Sequence, residues 1–226
     1  MRRTIVAAGM MFLLFKIVDA ADNHEMMDMS SMDMSEHNAH MKMTALRKPS
    51  FEDEKRATQI VETLKQSLKK YQDYHVALND GYKIFLPNVP LPEYHFTNYL
   101  YGIKAAFTFD PTHPTSLLYK KTSNGYELTG AMFTAPKNAT EDELNERVPL
   151  SLARWHKHVN LCLPPEGKDM RSANWRLFGP KGSIDTEEAC RENNGRWIPQ
   201  KFGWMVHVYP FEKDPQKIWA SPMGHP

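Results

Sequence analysis

Sixteen prolines punctuate this 226-residue chain, and they fall between short apolar runs. Proline fixes φ and has no N–H to donate, so it is confined to strand edges, turns and helix starts. Runs interrupted this often disfavour a helical bundle and favour a β-rich fold with many loops. Two of them, Leu117 to Lys121 and Tyr126 to Ala135, are apolar, aromatic and Thr-rich, and Ser123-Asn124-Gly125 joins them. Asn-Gly in that setting is a strong hairpin signal. Trp204 to Tyr209 reads as a further strand, with Val206 and Val208 toward the core and His207 on the face of Met205 and Tyr209.

One stretch before these strands has a different period. Ala57, Ile60, Val61, Leu64, Leu68 and Tyr71 recur at three- and four-residue spacing, which predicts an amphipathic helix over about 53–80. Ser50 is its N-cap, Glu52, Asp53 and Glu54 suit the positive end of its dipole, and Asp80-Gly81 stops it. A break near Tyr74-His75 would leave two pieces, with His75 a surface or packing residue. Thr140 to Glu143 opens a short helix with a capping box, and another is expected from about Thr186 to Asn193. The expected fold is α+β: a β-rich antiparallel sheet over 83–226 preceded by the helix, together forming one folded domain, 51–226.

The first twenty residues read as a secretory signal. Arg2-Arg3 is a positive n-region, Thr4 to Val18 is mostly apolar, and Val18-Asp19-Ala20 suits cleavage after Ala20. The run is too short to span a bilayer, so no stable membrane span is expected after cleavage. The expected location is secreted or periplasmic. Processing leaves 25 basic and 26 acidic residues, which gives no electrostatic reason to expect nucleic acid as a partner.

Residues 21–50 are compositionally odd. His24, Met26, Met27, Met29, Met32, Met34, His37, His40, Met41 and Met43 lie within twenty residues, among Asp, Ser, Asn and Glu. No β-branched run or aromatic is there to build a core, so the segment is expected to be a disordered tail. Thioethers are soft ligands that select Cu(I), whereas imidazole and carboxylate hold Cu(II). By composition the tract resembles the Met/His-rich tracts of periplasmic copper-handling proteins, which implies copper and a copper-handling partner protein.

A second ligand set sits on the strands. His156 and His158 are two residues apart, and on a strand both point to one face, leaving Val159, Leu161 and Leu163 for the core. Neutral imidazole suits Zn, Cu, Ni and Fe. With His207 on the second strand and His95 from an aromatic-rich block, four imidazoles are expected to form one site for copper, or for zinc as the alternative. A hydrogen-bonded histidine cluster without metal competes with that reading. Cys162 and Cys190 are the only cysteines, and an oxidising compartment predicts a disulfide. The rival is a thiolate ligand beside His158.

Tyr94-His95-Phe96-Thr97-Asn98, then Asp110-Pro111-Thr112-His113-Pro114 with Leu117-Leu118-Tyr119, then Gly125 and Leu128-Thr129-Gly130, resemble blocks of a group of secreted bacterial proteins. Those also carry a later His-x-His-Val strand, and coverage runs from about residue 75 to 163. The resemblance implies secretion and a β-rich fold and brings no activity. This chain departs from the group in Asn160-Leu161-Cys162, the Met/His tail and the Cys190 segment.

Enzyme motifs are mostly absent: the chain has no Gly-x-Ser-x-Gly elbow, phosphate-binding Gly loop or His-Glu-x-x-His helix. Copper binding through the tail and the histidine site is the leading expectation. A metal-dependent enzyme with a three-histidine site on a β scaffold is the alternative from another class. A structural secreted domain without metal is the third reading.

Overall fold

The computed structural model describes residues 39–169 and 172–219. The predicted signal peptide, and His24, Met26, Met27, Met29, Met32, Met34 and His37 of the Met/His tract, lie outside them. Seven strands form one antiparallel sheet: β1 (Met41–Met43), β2 (Lys83–Ile84), β3 (Tyr94–Thr97), β4 (Ser116–Thr122), β5 (Gly125–Ala135), β6 (His156–Leu163) and β7 (Arg196–Val208). Their order across the sheet is β1-β6-β7-β5-β4-β3-β2. Six helices accompany it: α1 (Phe51–Leu68), α2 (Tyr74–Asn79), α3 (Tyr99–Lys104), α4 (Glu141–Arg147), α5 (Glu187–Glu192) and α6 (Pro215–Ile218). The fold is α+β. Among the described residues no helix is long and apolar enough to cross a membrane.

Strand alternation gives the sheet two unlike faces. Phe96, Leu117, Tyr119, Ala131, Phe133, Trp204, Val206 and Val208 point to one side, where Ile60, Val61, Leu64 and Leu68 of α1 meet them in the main core. Burying each of these larger side chains is worth about 1.5–3 kcal/mol. Leu118, Met132, Met205 and Tyr209 form a separate cluster on the opposite face. That second face carries the histidines.

The helix predicted over 53–80 is interrupted. α1 tightens into a 3₁₀ turn over Lys69–Gln72, and Asp73 is extended, with φ −87° and ψ 106°. The Asp73 carboxylate then accepts the His75 N–H and caps α2. Exposed His75 stacks on Tyr74, with ring centroids 4.0 Å apart. The caps read from the sequence are present: Ser50 Oγ accepts from the Asp53 N–H, and Thr140 with Glu143 completes a capping box. The hairpin is also as read, closed between Thr122 and Gly125, where Gly125 takes φ 127° at little steric cost.

Three features depart from the pattern. Residues 41–43, placed in a disordered tail by composition, are instead strand β1, paired in register with β6. A free edge of β6 supplies the backbone partners that the local sequence cannot. β7 is thirteen residues long rather than six, and it accommodates Pro199 because only β6 pairs with that part of it. α3 and α6 are too short to show periodicity and are set by their caps, Asn98 and Asp214.

Candidate metal centre

His156 and His158 share the second face of β6, as the period-two spacing requires. Their neighbours follow from the register. His156 lies between Met43 of β1 and Met205 of β7, and His158 lies opposite Met41. His207, two residues along from Met205, is paired with Met132 of β5. His95 of β3 is paired with Leu118 of β4. The pairing of β6 with β7 slips between His156 and His158, where Phe202 has φ 65°. Gly203 is required in that bulge, because a Cβ there would run into the Ala135 carbonyl.

The four imidazoles are neighbours. Ring centroids are 5.1 Å apart for His156 and His207, 5.5 Å for His95 and His207, and 5.9 Å for His156 and His158. With metal–nitrogen bonds of about 2.0–2.1 Å, two imidazoles on one ion hold their ring centres about 5–5.5 Å apart. His156 is 1% exposed and His207 4%, while His95 and His158 are half-buried. In these rotamers no group of three or more His, Cys, Asp or Glu side chains among the described residues is aimed to hold an ion. The separations His95–His207, His207–His156 and His156–His158 lie close to that value, and the rings follow one another in a row along the face.

Burial sets the charge state. It holds the His156 imidazole far below its ordinary range, at about 3, with His158 and then His95 adding repulsion. His95 is lowered to about 4, again mainly by burial and then by His158. His158 is lowered by burial, against the opposing carbonyl of His40. Nδ1 of His156 and Nδ1 of His158 are buried and make no hydrogen bond. Buried polar atoms are seldom left so, because each costs about 1–3 kcal/mol. Neutral rings with unused lone pairs are what a metal ion takes up.

The edge of the site is tied down by His40. Its Nδ1 is 2.8 Å from the Asn160 carbonyl oxygen and its Nε2 is 2.7 Å from that of Gly182. Both carbonyls accept, so a ring nitrogen that carries a proton donates to the one it faces. Gly182 lies in the loop closed by the Cys162–Cys190 disulfide, whose Cα atoms are 5.5 Å apart. The thiolate-ligand alternative for Cys162 is therefore set aside. At the far edge, Thr129 and Tyr209 hydroxyls donate to the two oxygens of Glu93 at 2.7 and 3.0 Å. That carboxylate is engaged beside the histidines rather than among them.

The sequence reading located the four histidines on one face and missed part of their setting. Val159 and Leu163 were expected in a core, yet both are half-exposed and only Leu161 of the three is buried. Asn160 has φ 52°, which asparagine tolerates, and Trp155, just before β6, enters the main core instead. Of the tail set, His40, Met41 and Met43 belong to the fold. The signal was there in Met41-Lys42-Met43, whose alternation repeats that of a half-buried strand. Trp155 and Trp204 are core residues. A cleft lined by Tyr101, Phe109, His113 and Phe133 borders α3; Phe133 packs in the main core, across the sheet from the histidines. No protein-family model matches this chain, nor does any curated protein or solved structure.

Proposed function

We propose that the chain is a secreted or periplasmic metal-binding protein that holds copper, with zinc the alternative ion, at His95, His156, His158 and His207. The observation that carries this is the spacing of the four rings, 5.1 to 5.9 Å between neighbouring centroids on one sheet face. Two buried ring nitrogens without hydrogen-bond partners support it. The Met/His tract over 24–43, holding seven of the fourteen methionines, supports copper and exchange with a copper-handling partner. Arg2-Arg3 with the following apolar run, and the disulfide, support export to an oxidising compartment. Burial of His156 and His207 favours retention of an ion over turnover of a substrate.

The test is a competition titration of the full chain with Zn(II) and with Cu(I). His156→Gln/His207→Gln keeps volume and polarity but removes two ligands, and should weaken both ions by about 100-fold or more, beyond the 10–100-fold seen for loss of an outer-sphere partner. Circular dichroism checks that the variant is folded. His95→Gln/His158→Gln, at half-buried positions, gives the same reading should the first variant not fold. Unchanged affinity for both ions in a folded variant overturns the proposal.

A further inference from the structure

We infer that the folded domain selects copper(I), through the thioethers of Met41 and Met43 acting together with His156 and His158. This rests on the histidine site proposed above and adds sulfur ligands and an oxidation state to it. The two methionines are not part of a free tail. They sit on edge strand β1 directly opposite the histidines, Met41 across from His158 and Met43 across from His156. Directly opposed residues on one face of an antiparallel pair hold their Cβ atoms about 4.5–5.5 Å apart, within reach of a methionine side chain. Lys42, between them, is exposed, so the strand presents both sulfurs to one side.

Burial and placement argue for more than packing. Met41 is 7% exposed, and the residues opposite Met41 and Met43 are imidazoles rather than a hydrophobic cluster. The apolar cluster of this face, Leu118, Met132, Met205 and Tyr209, does not include Met41 or Met43. His156 is flanked on both neighbouring strands by a methionine, Met43 and Met205. A set of two imidazoles and two thioethers, all neutral, suits the soft monovalent Cu(I) ion. An imidazole set alone is as good for Zn(II) or Cu(II). The donor set thus divides by ion: sulfur decides Cu(I), and nitrogen serves all three.

β1 is anchored at both of its ends. Its start is fixed by the His40 contacts to Asn160 and Gly182, and its end by the Thr44 N–H bonded to the Trp155 carbonyl at 2.9 Å. Both ends are held by contacts that use no metal, so the strand that carries the two methionines is positioned in advance of an ion.

The experiment uses the full chain with Met26, Met27, Met29, Met32 and Met34 changed to Leu, so that upstream thioethers do not mask the site. In that background Met41→Leu/Met43→Leu, a volume-conserving change, is titrated anaerobically with Cu(I) against a colorimetric chelator, and separately with Zn(II). The inference expects Cu(I) affinity to fall by about 10–100-fold or more while Zn(II) affinity holds within about threefold. Equal Cu(I) affinity with and without Met41 and Met43 overturns it, and so does a parallel loss of both ions. The same titrations on His156→Gln/His207→Gln keep the two readings apart. Loss of Zn(II) there with no effect of the methionines sinks the sulfur ligands alone. Retention of Zn(II) there sinks the histidine site. X-ray absorption of the Cu(I)-loaded background protein supplies a reading without β1 substitutions: sulfur scattering is expected, and its absence contradicts the inference.

Discussion

Cys162→Ser/Cys190→Ser protein is expected to be about 3–4 kcal/mol less stable than the parent, on a chain-entropy model of the loop the bridge closes. The cysteines are 28 residues apart in sequence, so the reduced chain regains the freedom of a long loop. Both sulfurs are buried in a small cluster of their own with Phe178 and Ile184, away from the main core. Leu177, Ala189 and Trp197, all partly buried, pack against it. The Gly179 N–H donates to the Cys162 carbonyl at 2.7 Å, and the Gly182 carbonyl accepts from His40. Loss of the bridge should therefore also loosen β1, which the same loop clamps. Urea unfolding of parent and variant gives the size of the effect, and a difference under about 1 kcal/mol would contradict it. Thiol titration of the denatured, unreduced parent should find no free thiol.

Acidification of the metal-free protein should cost about as much. An unfolded histidine takes up its proton near pH 6.5, whereas His156 in the fold resists until about 3. Between those values the unfolded state binds more protons, so stability is complete above the unfolded value and falls as pH is lowered through the window. From pH 6.5 to about 4.5, His156 alone removes about 2 kcal/mol, the slope rising toward about 1.4 kcal/mol for each pH unit as the unfolded ring becomes fully protonated. His95, lowered to about 4, and His158 act in the same direction. The lowered carboxylates Asp73, Asp80, Asp110 and Glu143 lose their contribution only as pH falls further, so the upper window isolates the imidazoles. Urea midpoints between pH 7 and 4.5 should fall steeply for the parent and less steeply for His156→Gln. A flat profile for the parent would show that the buried rings are not held neutral.

Much of this was legible because local chemistry and tertiary context agree. Asn124-Gly125 closes the hairpin it predicts, and Ser50 and Thr140 cap the helices they precede. Val206 and Val208 against His207 gives the two faces of β7 from alternation alone. The places where reading failed are those where partners distant in sequence decide. Met41 to Met43 look like tail because an alternation of three residues is short beside the Asp- and Ser-rich tract before it; the partner is β6, over a hundred residues away. Val159 and Leu163 look like core, but the left-handed Asn160 stands between them, and the chain's own pattern does not announce it. α3, six residues long, is fixed by the Asn98 side chain, which also reaches the Asp80 carbonyl. At the histidines the spacing His-x-His gave the shared face, while the methionines beside each ring follow only from strand order.

The central claim is that imidazoles of the sheet, not only the upstream tract, hold the ion. Copper K-edge absorption of the copper-loaded full chain tests it most directly, compared with His156→Gln/His207→Gln loaded in the same way. The account predicts imidazole multiple scattering in the parent that is largely lost in the variant. Spectra that superimpose, or a parent spectrum with no imidazole contribution, would contradict it.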